Sequence, residues 1–250
     1  MIKVSIIGSG SVAQHLISVF NMADSIDLVQ VYARQKNNVL HLINDDQVVS
    51  AFELLTEADL YILAISDSAI AEISALLPFK NKLVAHTSGS IAINDLDDKN
   101  RKAVFYPLQT FSKNKAVDFH MIPICLESQN ASDFQILEKV AKAVSEKVYA
   151  INSEQRKALH VAAVFVNNFV NHLYQTGYDI CSEYQVPFEI LQPLIKETAK
   201  KVMTLSPAEA QTGPAKRRDQ QTIDAHLAML TDSHQQSIYK LLTQSIQSHE

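Results

Sequence analysis

Lys3-Val4-Ser5-Ile6-Ile7-Gly8-Ser9-Gly10-Ser11-Val12-Ala13 opens the chain with its clearest structural signal. A β-branched run enters a glycine turn and a helical pattern leaves it, so the segment reads strand, turn, helix. Gly8 suits the tight turn, Gly10 carries no Cβ to hold backbone away from an anion, and Ala13 lets the helix pack closely on the strand. The amides of the Gly8, Ser9, Gly10, Ser11 and Val12 turn and the positive end of the helix then face one point, as a dinucleotide pyrophosphate requires. The same string also fits a plain strand-turn-helix. The strand before it and the helix after it are the context the nucleotide reading needs.

The second strand, Leu28-Val29-Gln30-Val31-Tyr32-Ala33, is followed by Arg34-Gln35-Lys36 where an NAD site would carry Asp or Glu for the ribose hydroxyls. Arg34 can fork onto a 2′-phosphate and Lys36 adds a second positive charge, which predicts NADP(H) over NAD(H). Two solvated loop cations are the plainer alternative.

The 250 residues are 47% hydrophobic, enough for one large domain or two modest ones. A net charge of −5 with no long basic block points away from nucleic acid and anionic membranes, and toward a small-molecule substrate. Cys125 and Cys181 stand far apart outside any CxxC pattern, so neither a disulfide framework nor a metal site is expected. The chain enters its first strand without the pattern of a signal peptide, and no apolar run reaches membrane-spanning length, which predicts a cytoplasmic protein.

Strand and helix patterns alternate as far as Ile151. Val39–Ile43 reads as helix, Ala58–Ile65 as a buried strand, Ala69–Leu77 as helix and Lys82–His86 as strand. Strands at Val104–Tyr106 and Ile122–Leu126, a helix at Ser132–Ser145 and a strand at Val148–Ile151 complete a doubly wound parallel α/β domain over residues 1–151. Residues 152–250 read as all helix. One long helix from Ser153, its expected N-cap, to Gln185 is closed by Pro187. A second covers Phe188–Leu205, a loop Ser206–Asp219, and a last helix Gln220–Gln247. The length of the first predicts a role at the centre of the domain or of a homodimer.

Ligands of open α/β sheets lie beyond the carboxyl ends of strands, which singles out three clusters. Ser66 and Asp67 follow the third strand and can line a ribose or nicotinamide, or simply cap the next helix. His86-Thr87-Ser88-Gly89-Ser90 can hold a substrate carboxylate, or form a self-satisfied turn. Tyr106-Pro107-Leu108-Gln109-Thr110-Phe111 sets polar groups among rigid ones. On the long helix, His160, Asn167 and Asn171 share one face with Asn168 beside it, in a stretch apolar enough to be buried. Lys157 and His172 lie on the same helix. Lys216-Arg217-Arg218 forms the densest cationic cluster, able to grip an anion or to remain a solvated loop.

Together the glycine turn, the basic end of strand two, His86-Thr87-Ser88-Gly89, Pro107-Leu108-Gln109-Thr110-Phe111, the His160–Phe169 helix and the Gly213–Asp219 loop resemble a bacterial two-domain Rossmann-like family. Its members are described as candidate NADP oxidoreductases with a C-terminal domain of unknown function. The resemblance covers nearly the whole chain and is carried by His86, Ser88, Gly89, Pro107, Gln109, His160, Asn168, Gly213, Pro214, Arg217, Asp219 and His226. Arg218 departs from it, standing where the pattern has glycine. More distantly the chain is similar to pyrroline-5-carboxylate reductase, the deazaflavin-dependent NADP reductases and the 6-phosphogluconate dehydrogenase superfamily. That similarity implies an N-terminal Rossmann sheet and a C-terminal all-α domain of the 6-phosphogluconate dehydrogenase type that often builds a dimer. The lysine and asparagine pair of the hydroxyacid dehydrogenases has no clear counterpart here.

The combined expectation is an NADP(H)-dependent oxidoreductase moving a hydride to or from a small C=O or C=N substrate. His160, Asn168 and His86 are its catalytic candidates, and Ser88, Gln109 and Arg217 its substrate contacts. A non-catalytic NADP(H)-binding regulatory protein, or a fold reused for another ligand, is the alternative.

Overall fold

The computed structural model describes residues 1–112, 115 and 117–248, and divides into two units, Met1–Asn167 and Asn168–Glu250. In the first unit the described residues form an eight-stranded sheet. Its strands are β1 (Ile2–Ile7), β2 (Ile26–Tyr32), β3 (Val48–Val49), β4 (Leu60–Leu63), β5 (Leu83–His86), β6 (Arg101–Pro107), β7 (Ile124–Ser128) and β8 (Val148–Ala150). They run in the order β3-β2-β1-β4-β5-β6-β7-β8, so the chain reverses its winding between β1 and β4, where such sheets open a ligand crevice. The helices α1 (Ser11–Asn21), α2 (Ile70–Leu76), α3 (Ala131–Lys142) and α4 (Ser153–Ala163) complete the unit.

Alternation along the strands sorts two faces. Val4, Ile6, Leu28, Leu60, Ile62, Leu83, Ala85, Ala103, Phe105, Ile124 and Leu126 pack with Leu16 and Phe20 of α1 and Leu137 and Val140 of α3. The intervening Ile7, Tyr61, Leu63 and Val84 pack with Ile70 of α2, while Val104, Tyr106 and Cys125 meet Leu159 of α4. His86 and Tyr106 therefore end their strands on this second face.

The doubly wound sheet is the predicted one, with local departures. Val39–Ile43 forms turns rather than a helix, next to a 3-10 turn at Lys36–Asn38. The two-residue β3 is too short to give a periodic signal. β7 runs antiparallel to β6. A parallel return needs a crossover of a dozen or more residues, usually helical, and the described part of this connection holds only a 3-10 turn at Phe119–Met121.

The cap of α4 is Asn152 and not Ser153. Asn152 accepts from the Gln155 amide and Gln155 reaches back in a capping box. The Ser153 hydroxyl instead donates to Glu127 (2.9 Å) and accepts from the Ile93 amide (3.0 Å). The single long helix expected from Ser153 is interrupted by a π turn, Val164–Phe169, before α5 (Val170–Glu183). The shared-face reading of His160, Asn167 and Asn171 assumed 3.6 residues per turn throughout, so it does not survive the wider turn. Gln185, at φ +54°, closes α5 with Val186 N–H bonded to Cys181 O, just ahead of Pro187.

The second unit continues with a 3-10 turn at Phe188–Leu191, α6 (Gln192–Lys201), α7 (Pro207–Ala210), α8 (Gln220–Met229) and α9 (Ser233–Ser248). The expected last helix is two, because Asp232 accepts from the His234 and Gln235 amides and starts α9 afresh. Among its described residues only Ala215 and Ile223 are buried. No described helix is long and apolar enough to cross a membrane.

Candidate functional site

A cleft of about 710 Å³ opens in the first unit over the carboxyl ends of β1, β2 and β4. The Gly8, Ser9, Gly10, Ser11 and Val12 turn lines it, with Arg34 after β2, Ser66 after β4, Thr87 after β5, and Gln109 and Phe111 after β6. Gly8 sits at φ +139°, and a Cβ there would lie 2.1 Å from the Ala64 carbonyl oxygen. Above Gly10, the N-cap of α1, a Cβ would meet nothing within 4 Å, so this cradle has the room an anion needs. The Gln14 amide braces the turn by donating to Ser9 O (3.0 Å) and Asn38 O (3.1 Å). Neither Gln14 nor Asn38 stood out in the sequence, because an uncharged polar residue on a helix face carries no signal of its own.

Of the predicted cofactor residues, Arg34 is exposed in the cleft wall with no ion pair among the described residues. Lys36 does not line the cleft and is paired with Asp45 at 3.4 Å. Asp67 starts the 3-10 turn Asp67–Ala69, with Ser66 at its N-cap, and also stands outside the lining.

The His86 turn is a packed device. His86 is fully buried, and its Nδ1 accepts from the Ser88 amide at 3.1 Å. Burial, and then the Arg156 guanidinium, push its pKa down to about 3 against the opposing Ala92 carbonyl, so the ring is neutral at physiological pH. Ser88 Oγ accepts from both the Ser90 and Ile91 amides at 3.0 Å. The turn ends at Gly89, where a Cβ would sit 2.5 Å from His160 Nδ1 and 2.9 Å from Tyr106 Cζ.

That close approach brings Tyr106 and His160 together against the turn. Tyr106, at the end of β6, bonds its hydroxyl to His160 Nδ1 at 3.0 Å, and the rings meet edge to face with centroids 6.1 Å apart. Burial pushes the Tyr106 phenol up to about 12 and the Cys125 thiol beside it up to about 11, so both stay protonated. One helical turn before His160, the fully buried Arg156 is clamped by Glu127 and the Ile91 carbonyl, fastening α4 to β7 and to the end of the His86 turn. An ion pair so enclosed adds little net stability but fixes geometry, since losing either partner strands a buried charge. Arg156 was passed over by motif reading, and Tyr106 stood out only as a member of the Tyr106–Phe111 cluster, without a role of its own. Their parity with Val104 on the strand and their i,i+4 spacing to His160 on the helix were the available signals.

Asn167, Lys157, Asn168, Asn171 and His172 are exposed, contrary to the burial their apolar neighbours implied. Arg217 is exposed in the second unit, where the Gly213–Asp219 turn closes through Asp219 N–H to Pro214 O (3.0 Å), and Asp219 caps α8. Arg218 takes φ +55°, the conformation for which the resembled pattern uses glycine. Among the described residues no three or more His, Cys, Asp or Glu side chains gather in a way that could hold a metal ion.

Comparison with known proteins returns no match among functionally curated ones. Among solved structures, a candidate NADP oxidoreductase of Bacteroides fragilis, BF3122, is 38% identical over 99% of this chain and 98% of its own, with a TM-score of 0.87. Protein TM1727 of Thermotoga maritima is 19% identical over 98% of this chain and 97% of its own, with a TM-score of 0.76. A pyrroline carboxylate reductase of Plasmodium falciparum, solved with NADP bound, shares the fold at 13% identity over 98% of both chains and a TM-score of 0.62. Residues 122–246 match the family described as Domain of unknown function, DUF2520, and the chain belongs to that family.

Proposed function

We propose that this protein is an NADP(H)-dependent oxidoreductase acting on a small C=O or C=N substrate, with the first unit holding the cofactor. The observation that carries the reading is the cleft over the Gly8–Val12 turn, open above Gly10 and bounded by Arg34, which forms no ion pair among the described residues. The names of the Bacteroides fragilis relative and of the Plasmodium falciparum reductase support it. The turn amides would hold the pyrophosphate, Arg34 the 2′-phosphate and Ser66 a ribose, without Lys36 and Asp67, which do not line the cleft. The nicotinamide would supply the hydride. His160 is the proton-exchanging group of the first unit. His86, neutral and buried, shapes the turn that carries Ser88 and Gly89.

The test is NADPH oxidation across panels of keto and imino acids. His160→Ala should lower kcat by roughly 10²-fold or more with NADPH affinity unchanged. Unchanged turnover in that variant would remove His160 from the chemistry. NADPH binding without oxidation by any substrate would favour the regulatory reading.

The same reading includes a homodimer built on the helical unit. Ordering a backbone residue costs about 1–2 kcal/mol. Two buried residues among those described cannot offset that cost summed over the helices of the unit, while Tyr178, Ile190, Leu194, Met203 and Leu241 lie exposed. Light scattering on the eluting protein should give twice 27.8 kDa. A stable monomer would contradict it.

A further inference from the structure

We propose that Tyr106 is a positioning residue that fixes His160 as the Nε2–H tautomer, so that the site takes a substrate whose reacting heteroatom offers a lone pair, a carbonyl oxygen or a neutral imine nitrogen, and not an iminium. The substrate part rests on the reductase reading above; the tautomer part does not.

The phenol of Tyr106 is buried, and its one hydrogen bond among the described residues is to His160 Nδ1. Two arrangements fit a heavy-atom distance of 3.0 Å. If Nδ1–H donated, the phenolic hydrogen would be left buried without an acceptor, and an unmet buried donor is costlier than a lost bond. If the phenol donates, both groups are satisfied. A neutral imidazole has one hydrogen, so acceptance at Nδ1 places it on Nε2.

Packing holds the ring beside the phenol. Gly89 leaves it no free volume on one side, since a Cβ there would stand 2.7 Å from Cγ, and the Tyr106 ring closes another. The helix carrying it is pinned by Arg156 to Glu127 and Ile91. Nε2 makes no hydrogen bond within the described residues, and His160 is only half-buried, so the N–H edge is the one left for a ligand. An N–H donor binds a lone pair. A carbonyl oxygen and a neutral imine nitrogen have one to give, whereas an iminium nitrogen has none and presents positive charge to the donor.

The full-length protein labelled with 15N in its nine histidines is read by long-range proton–nitrogen correlation at about pH 8, above the ordinary imidazole range. His160 is assigned by its disappearance in His160→Gln. An acceptor-type Nδ1 and protonated Nε2 are expected in the wild type, with mixed tautomers in Tyr106→Phe. An Nδ1–H signal in the wild type overturns the proposal without recourse to any variant, as does a Tyr106→Phe spectrum identical to it.

Kinetics read the second part. Tyr106→Phe should lower kcat by roughly tenfold or more with KM for NADPH unchanged, and an N-alkylated iminium should be reduced far more slowly than its neutral imine. Wild-type kcat in the variant, or equal reduction of the two substrates, overturns the substrate assignment. Expected tautomers with no turnover of any substrate would reject the reductase reading alone.

Discussion

Gly8→Ala is expected to lower the thermal midpoint of the protein by roughly 6–12 °C or to prevent folding. Two costs add at this position. The backbone is at φ +139°, where an L side chain is strained by about 1–3 kcal/mol. The new methyl would also lie 2.1 Å from the Ala64 oxygen and 2.8 Å from its carbonyl carbon, which are backbone atoms and cannot rotate aside. Ala64 is held by its own amide bond to Ile7 O (2.8 Å), and Gly8 by a bond to Tyr32 O (2.9 Å), so the clash forces apart the strand ends around which the cleft is built. A combined loss near 3 kcal/mol corresponds to the stated shift for a chain of this length. A calorimetric scan superimposable on the wild type would mean that the turn relaxes at no cost.

Gly89→Ala is expected to separate fold from chemistry. No unusual backbone angle is involved, and the collision is with side chains, 2.5 Å to His160 Nδ1 and 2.9 Å to Tyr106 Cζ. The imidazole must move by about an ångström, breaking its bond to the phenol, and a displacement of that size costs on the order of 10² in rate. NADPH binding should be retained, since Gly89 does not line the cleft. Steady-state kinetics beside a fluorescence titration reads both halves, and an unimpaired kcat would place the reacting group elsewhere.

These two glycines show what the sequence made legible. Gly8 was readable as the glycine of a tight turn because a β-branched run precedes it and a helical pattern follows, and the sheet followed from the same alternation. Gly89 was readable as a turn residue, but not as the wall of a histidine site, because Tyr106 and His160 are far apart in the chain and meet only through β6 and α4. Helix periodicity failed at the π turn, since a single extra residue shifts every later side chain without altering composition. It failed again at Asp232, where an N-cap sits inside an otherwise continuous helical pattern. Burial of the asparagines was over-read for a related reason: apolar neighbours at Val161, Phe165 and Val166 are themselves exposed in this chain.

Paired titrations of NADPH and NADH decide whether the first unit, as proposed, holds a dinucleotide bearing a 2′-phosphate. Charge-assisted bonds from Arg34 are worth about 1.5–3 kcal/mol, so NADPH should bind roughly 10- to 100-fold more tightly, with Arg34→Ala erasing most of the difference. Equal affinity for the two cofactors, or discrimination that survives the loss of Arg34, would contradict it.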